Sequence, residues 1–133
     1  MGATGTIPSQ FVLNKAKDNP FKGDGLRAYR EYRDLGVGTT TQGAVHAHLI
    51  RTTEPCPEGG SGLHYHDLDF QMVFCLKGRS RIWFEGVGEV EIEAGDSWVQ
   101  PPRIPHNVLY YSPDYELLEI TMPQEYPTVA IKK

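Results

Sequence analysis

At 133 residues the chain holds enough sequence for one domain, long enough to bury a core without disulfide staples. A formal net charge of -4 with no basic stripe argues against nucleic acid as a partner. No apolar run approaches bilayer length, and the opening stretch lacks the charged start and apolar centre of a signal peptide, so neither a membrane nor an export route is expected.

Fourteen glycines and ten prolines punctuate short apolar runs, the composition of an all-β chain with many turns. Residues 1–25 read as an N-terminal arm, in which Phe11–Leu13 offers an apolar patch for a neighbouring sheet. A body of strands is expected over 26–122. Leu26–Gly36 is ambiguous between polar helix and edge strand, and the absence of an apolar stripe at helical spacing favours strand. Further strands are expected at Ala44–Arg51, Gly62–His66, Phe70–Gly78, Ser80–Gly86, Val90–Glu93, Asp96–Pro101, Asn107–Ser112 and Glu116–Met122. The breaks between them carry Gly, Pro, Asp and Asn, which supply turn geometries that other residues resist. Residues 123–133 read as a loose C-terminal extension or a dimer strap. Cys56 and Cys75 form no framework and point to free thiols in a reducing, cytoplasmic setting.

His64 and His66 stand two apart on an expected strand, so both side chains project to one face. Gln71 follows on the next strand, and His106 comes after the turn at Pro101–Pro105. Imidazole nitrogens suit Fe, Ni, Cu and Zn, and three of them leave coordination positions open for substrate. His46 and His48 have the same spacing, but no third partner is legible near them, and they read as packed or surface residues. If His106 faces inward, strict alternation takes Val108 and Tyr110 inward with it, while Val73 and Cys75 share the face of Gln71. These four would line a pocket for a small, partly apolar molecule, with Tyr110 as a possible proton donor. Met72 and Phe74 fall on the opposite face, whose apolar character predicts a homodimer.

The pattern resembles the cupin superfamily. That family's first motif sets His-x-His four residues before a Glu and a glycine six beyond it; His64, His66 and Gly78 fall in register, with Gln71 in the Glu position. The glycine that precedes the histidines is displaced, its place taken by Glu58 beside Gly59 and Gly60. The second motif matches at Gly95, Pro101 and His106, with Arg103 replacing a glycine and Tyr110 an asparagine. The resemblance implies a double-stranded β-helix, or jelly-roll barrel, with a metal in its open mouth. Its ligands would be His64, His66, His106 and, directly or through a water, Gln71. The expected ion is a divalent transition metal, Fe(II) by preference, with Ni, Zn, Cu or Mn as alternatives.

A neutral glutamine leaves the ion its full charge, strengthening it as a Lewis acid and as a seat for an anionic substrate. The three-histidine shell most resembles that of non-haem dioxygenases acting on diketones or thiols. A metal-dependent isomerase or lyase and a non-catalytic small-molecule binding or sensor cupin are the alternatives.

Overall fold

The computed structural model describes residues 6–23 and 29–132; positions 1–5 and 24–28, which the expected arm and the start of the expected first strand include, lie outside them. Among the described residues ten strands form: β1 (Arg30–Asp34), β2 (His46–Thr52), β3 (His64–His66), β4 (Phe70–Lys77), β5 (Arg79–Phe84), β6 (Gly88–Glu93), β7 (Ser97–Val99), β8 (His106–Tyr111), β9 (Glu116–Met122) and β10 (Thr128–Ala130). They make two five-stranded antiparallel sheets, ordered β1-β2-β9-β4-β7 and β10-β3-β8-β5-β6. A single helical turn, α1 (Val37–Thr40), precedes β2. The all-β jelly roll that the family resemblance implies is what forms.

Strand alternation builds the interior between the sheets. On β4, Gln71, Val73 and Cys75 point inward and are buried, while Phe74 and Leu76 lie exposed on the outer face. On β9 the inward set is Leu117, Glu119 and Thr121, in register with Cys75, Val73 and Gln71. Read along these strands, the inward positions change from apolar to polar. Cys75, Leu117, Tyr111 and Tyr115 close a core at one end, and Gln71, Glu119 and His106 gather towards the other. Burying apolar side chains at roughly 25 cal/mol per Å² stabilises the first end. The second must satisfy its polar groups with one another or with something bound.

Two departures from simple alternation matter. The β5–β8 pairing contains a bulge, with Arg81 opposite Tyr110 but Ile82 opposite Val108. An extra residue in one strand reverses the facing of everything beyond it. Tyr111 therefore turns inward, 3% exposed, and Tyr110 turns outward beneath the Arg79 guanidinium, 5.0 Å from its ring centre. The second departure is the C-terminal tail. Rather than a loose extension, it carries β10, which pairs antiparallel with β3 and sets Thr128 opposite His66.

The arm docks on the edge of β1 through polar contacts. Asn19 Nδ2 donates to the Asp34 carbonyl at 2.6 Å, and Lys22 exchanges two backbone hydrogen bonds with Tyr32. Phe11 in the arm's apolar patch is 93% exposed rather than packed on a sheet of the described residues.

Candidate metal centre

The three histidines arrive from two neighbouring strands. His64 and His66 come from β3, His106 opens β8, and His64 is the cross-strand partner of His106. One ring nitrogen from each lies within 4.8 Å of those of the other two. His64 and His106 are buried, at 6% and 5% exposure.

Their ring orientations are set by backbone and hydroxyl groups. His64 Nδ1 lies 2.7 Å from the Gly62 carbonyl and His106 Nδ1 lies 3.0 Å from the Ile104 carbonyl. A carbonyl only accepts, so both rings carry their proton on Nδ1 and present Nε2 as the ligand atom. His66 Nδ1 lies 2.9 Å from Thr128 Oγ1 on β10. Gln100 Nε2 sits 3.1 and 3.2 Å from the two nitrogens of His106, its own oxygen held by Trp98 Nε1. Three anchored imidazoles at this separation fit a divalent transition-metal ion. Thr128→Val is expected to weaken zinc binding by about 10- to 100-fold, the usual effect of losing a partner that orients a ligand. Competition against a chromophoric chelator measures it; unchanged affinity would mean that strand pairing alone holds the His66 ring.

The backbone around the triad explains two irregularities of the motifs. Arg103, standing at a glycine position, adopts φ of 62°. Its N–H donates to the His66 carbonyl and its guanidinium pairs with Asp67, contacts that offset the strain. Gly60, with φ of 89°, passes so close to Val108 O and the Asn107 side chain that no Cβ fits there. The tight approach falls at Gly60 rather than at Glu58, which is why the motif glycine is displaced.

Across the cavity stands a second polar group that the sequence reading left aside. His46 and His48 point into the same cavity as the triad, correcting their assignment as isolated packed or surface residues. Their missing third partner is Glu119, opposite His48 on β9. His48 Nε2 lies 2.7 Å from Glu119 Oε1, and Gln71 Nε2 donates to Glu119 Oε2 at 2.7 Å. His46 Nε2 lies 3.1 Å from His48 Nδ1. Burial pushes the Glu119 carboxyl up, but the hydrogen bond and charge of His48 and the Gln71 amide outweigh it and hold the group at about 2. Burial and the neighbouring His48 push His46 down. An acidic residue on the inward face of an apolar strand, between Leu117 and Thr121, was the available signal for this group.

The cavity has a volume of about 500 Å³. Val73 and Val108 line it, as expected. Cys75 does not; it is fully buried in the core below. Tyr110 does not either, because of the bulge. Among the tyrosines that do line it, with Tyr32 and Tyr115, is Tyr126 from the tail, whose ring meets His66 edge-on at 5.5 Å. Burial and the nearby Glu119 push its hydroxyl pKa up, so it stays protonated. Its position depends on how the tail folds back, which no local pattern announces.

Residues 52–114 match the cupin domain family, an interval that spans His64, His66, Gln71 and His106. The chain carries a cupin domain. Solved structures similar to this cupin include Fe(II)-HppE with the alternative substrate (S)-1-HPP, at 13% identity and a TM-score of 0.65 over 84% of this chain. This cupin spans only 60% of that protein's length. The polyketide cyclase RemF from Streptomyces resistomycificus is similar at 14% identity and a TM-score of 0.70, covering 93% of this chain and 87% of its own. KdgF from Halomonas sp. is similar at 15% identity and a TM-score of 0.65, covering 87% and 96%. At such identities these likenesses establish the fold. No curated protein matches the sequence. Among the described residues no helix is long and apolar enough to cross a membrane.

Proposed function

We propose that this cupin is a metal-dependent enzyme acting on a small molecule. One divalent transition-metal ion, Fe(II) by preference, would be held by His64, His66 and His106 with the amide oxygen of Gln71. The observation that carries this reading is the triad itself: three imidazoles, the two buried ones tautomerically fixed by backbone carbonyls, brought within 4.8 Å of one another. Buried polar groups without a role are costly, and a metal is the ligand that this donor set matches.

When bound, the ion supplies Lewis acidity and a seat for an anionic oxygen or sulfur of the substrate. The protein's own residues do the rest. Val73 and Val108 give an apolar wall to the substrate's carbon skeleton. Arg30 and Lys22 stand at the cavity margin and suit a carboxylate or similar anion; Arg30 Nε is buried without a hydrogen-bond partner among the described residues. Tyr126, kept protonated, is placed to donate a hydrogen bond into the cavity. We assign it the proton-donor role first expected of Tyr110.

The neutral three-histidine shell supports an oxidoreductase of the dioxygenase type. The His48–Glu119 pair favours a second reading, an isomerase or lyase, because a carboxylate-anchored imidazole moves protons without oxygen. A homodimer is proposed from the exposed Phe74 and Leu76 on the outer face of β4 and Val99 on neighbouring β7.

Elemental analysis of tag-free protein, followed by oxygen-electrode screening with diketones, thiols and catechol-like acids, tests the proposal. Near-stoichiometric iron with substrate-dependent oxygen uptake is expected for the dioxygenase. Bound metal without oxygen uptake, but with solvent deuterium entering an α-keto acid, favours the isomerase or lyase. Failure to hold Fe(II), Ni or Zn even after reconstitution overturns the metal centre and leaves a binding barrel.

A further inference from the structure

We infer that Glu119 is the carboxylate of this metal centre, held one residue back: it fixes Gln71 with its amide oxygen towards the ion and polarises that oxygen. The inference rests on the metal centre proposed above and adds to it a residue that neither motif contains.

The argument starts from donors and acceptors. An ionised carboxylate only accepts, and each Glu119 oxygen receives a nitrogen donor, His48 Nε2 on Oε1 and Gln71 Nε2 on Oε2, both at 2.7 Å. An amide that spends its NH2 on a carboxylate must present its oxygen on the other side. Gln71 is 3% exposed, lines the cavity of the triad, and accepts no side-chain hydrogen bond at Oε1 among the described residues. The amide is therefore held in the orientation that a metal ligand needs; reversed, it would turn two N–H groups towards a cation.

Glu119 is itself immobilised. It sits between β2 and β4, with His48 and Val73 as its cross-strand partners. The His48 ring is braced by His46 and by Tyr32, stacked at 5.3 Å. An amide whose N–H groups face a fixed anion shifts electron density to its oxygen, which makes it a better donor to a cation. The acid that the first motif lacks at position 71 is thus supplied from the neighbouring strand. The first shell stays formally neutral, with a carboxylate held directly behind its amide.

Cobalt(II) alone is the probe, titrated into metal-free full-length protein and read by its visible absorption and by chelator competition. Glu119→Gln is expected to weaken cobalt binding about 10- to 100-fold and to alter the absorption, with His106→Ala abolishing both. The exchanged pair Gln71→Glu with Glu119→Gln is expected to restore binding, because it returns one carboxylate and one amide to the same two sites. Unchanged affinity and spectrum in folded Glu119→Gln would overturn the inference. So would loss of binding that the exchanged pair fails to rescue, since that is the signature of a merely structural role. Unchanged binding in His106→Ala would instead overturn the metal centre, and the inference with it. The native protein gives an independent reading that no variant's misfolding can spoil. On adding zinc the Gln71 side-chain carbonyl carbon should shift in the NMR spectrum while its NH2 stays hydrogen-bonded; a carbonyl unmoved by zinc would overturn the assignment.

Discussion

His106→Ala is expected to emerge from purification with less than about a tenth of an equivalent of metal, an affinity loss well beyond the roughly 100-fold seen when only an orienting partner is removed. The ring it deletes is the only member of the triad on β8, and it stands between the β3 pair and Gln100. The change also removes the imidazole stacked on Phe84 at 5.9 Å, so circular dichroism should accompany the metal assay. The informative contrast is His46→Ala. His46–His48 and His64–His66 are equivalent as sequence, each a His-x-His on a strand. Only the second pair lies in the triad, so His46→Ala should keep its metal. Metal retained in His106→Ala would place the site elsewhere in the cavity, with the His46–His48–Glu119 group the next place to look.

Gly78→Ala is expected to cost about 2–5 kcal/mol of stability, combining left-handed strain with overpacking. Gly78 makes the turn between β4 and β5 with φ of 77°. A Cβ there would press on Ser112 Oγ, would lie 2.8 Å from Asp114 Oδ1, and would lie 2.9 Å from Tyr115 Cα. Ser112 Oγ already accepts the Arg79 N–H at 2.9 Å and cannot move without releasing it. Tyr115, 2% exposed and bonded to Ser80, belongs to the core and has no room to yield. Gly59→Ala is the control, because its φ of 80° is similar but nothing lies within 4 Å of the added methyl. It should cost only about 1 kcal/mol, the conformational share. Urea midpoints at constant m-value measure both. Equal losses would mean that the neighbours of Gly78 relax freely and that packing does not explain this motif glycine.

Much of the architecture was legible because it depends on local rules. Eight strands between Ala44 and Met122 appear where alternation and turn residues place them. The His-x-His spacing fixes two imidazoles on one face whatever the rest of the chain does. Gln71, Val73 and Cys75 share a face for the same reason. The same rule failed at Tyr110, because a bulge is a property of the pairing between β5 and β8 and adds one residue that neither strand declares alone. It fell short at Cys75 for a different reason: facing inward does not say how deep along the barrel a residue sits.

The chain by itself determined the all-β class, the shared face of His64 and His66 and the turn glycines, since each follows from side-chain period or the freedom of one φ angle, while the jelly roll and the third histidine came with the motif resemblance. Only the tertiary structure decided what surrounds the triad. The β2–β9 pairing brings Glu119 to His48, and Glu119 in turn reaches Gln71. The return of the tail as β10 brings Thr128 to His66 and Tyr126 into the cavity. These contacts join residues between 48 and 71 positions apart in His48–Glu119, Gln71–Glu119 and His66–Thr128, so they exist only once the sheets have closed. Periodicity reports which face a residue takes, and the closure of the barrel decides which residue it meets there.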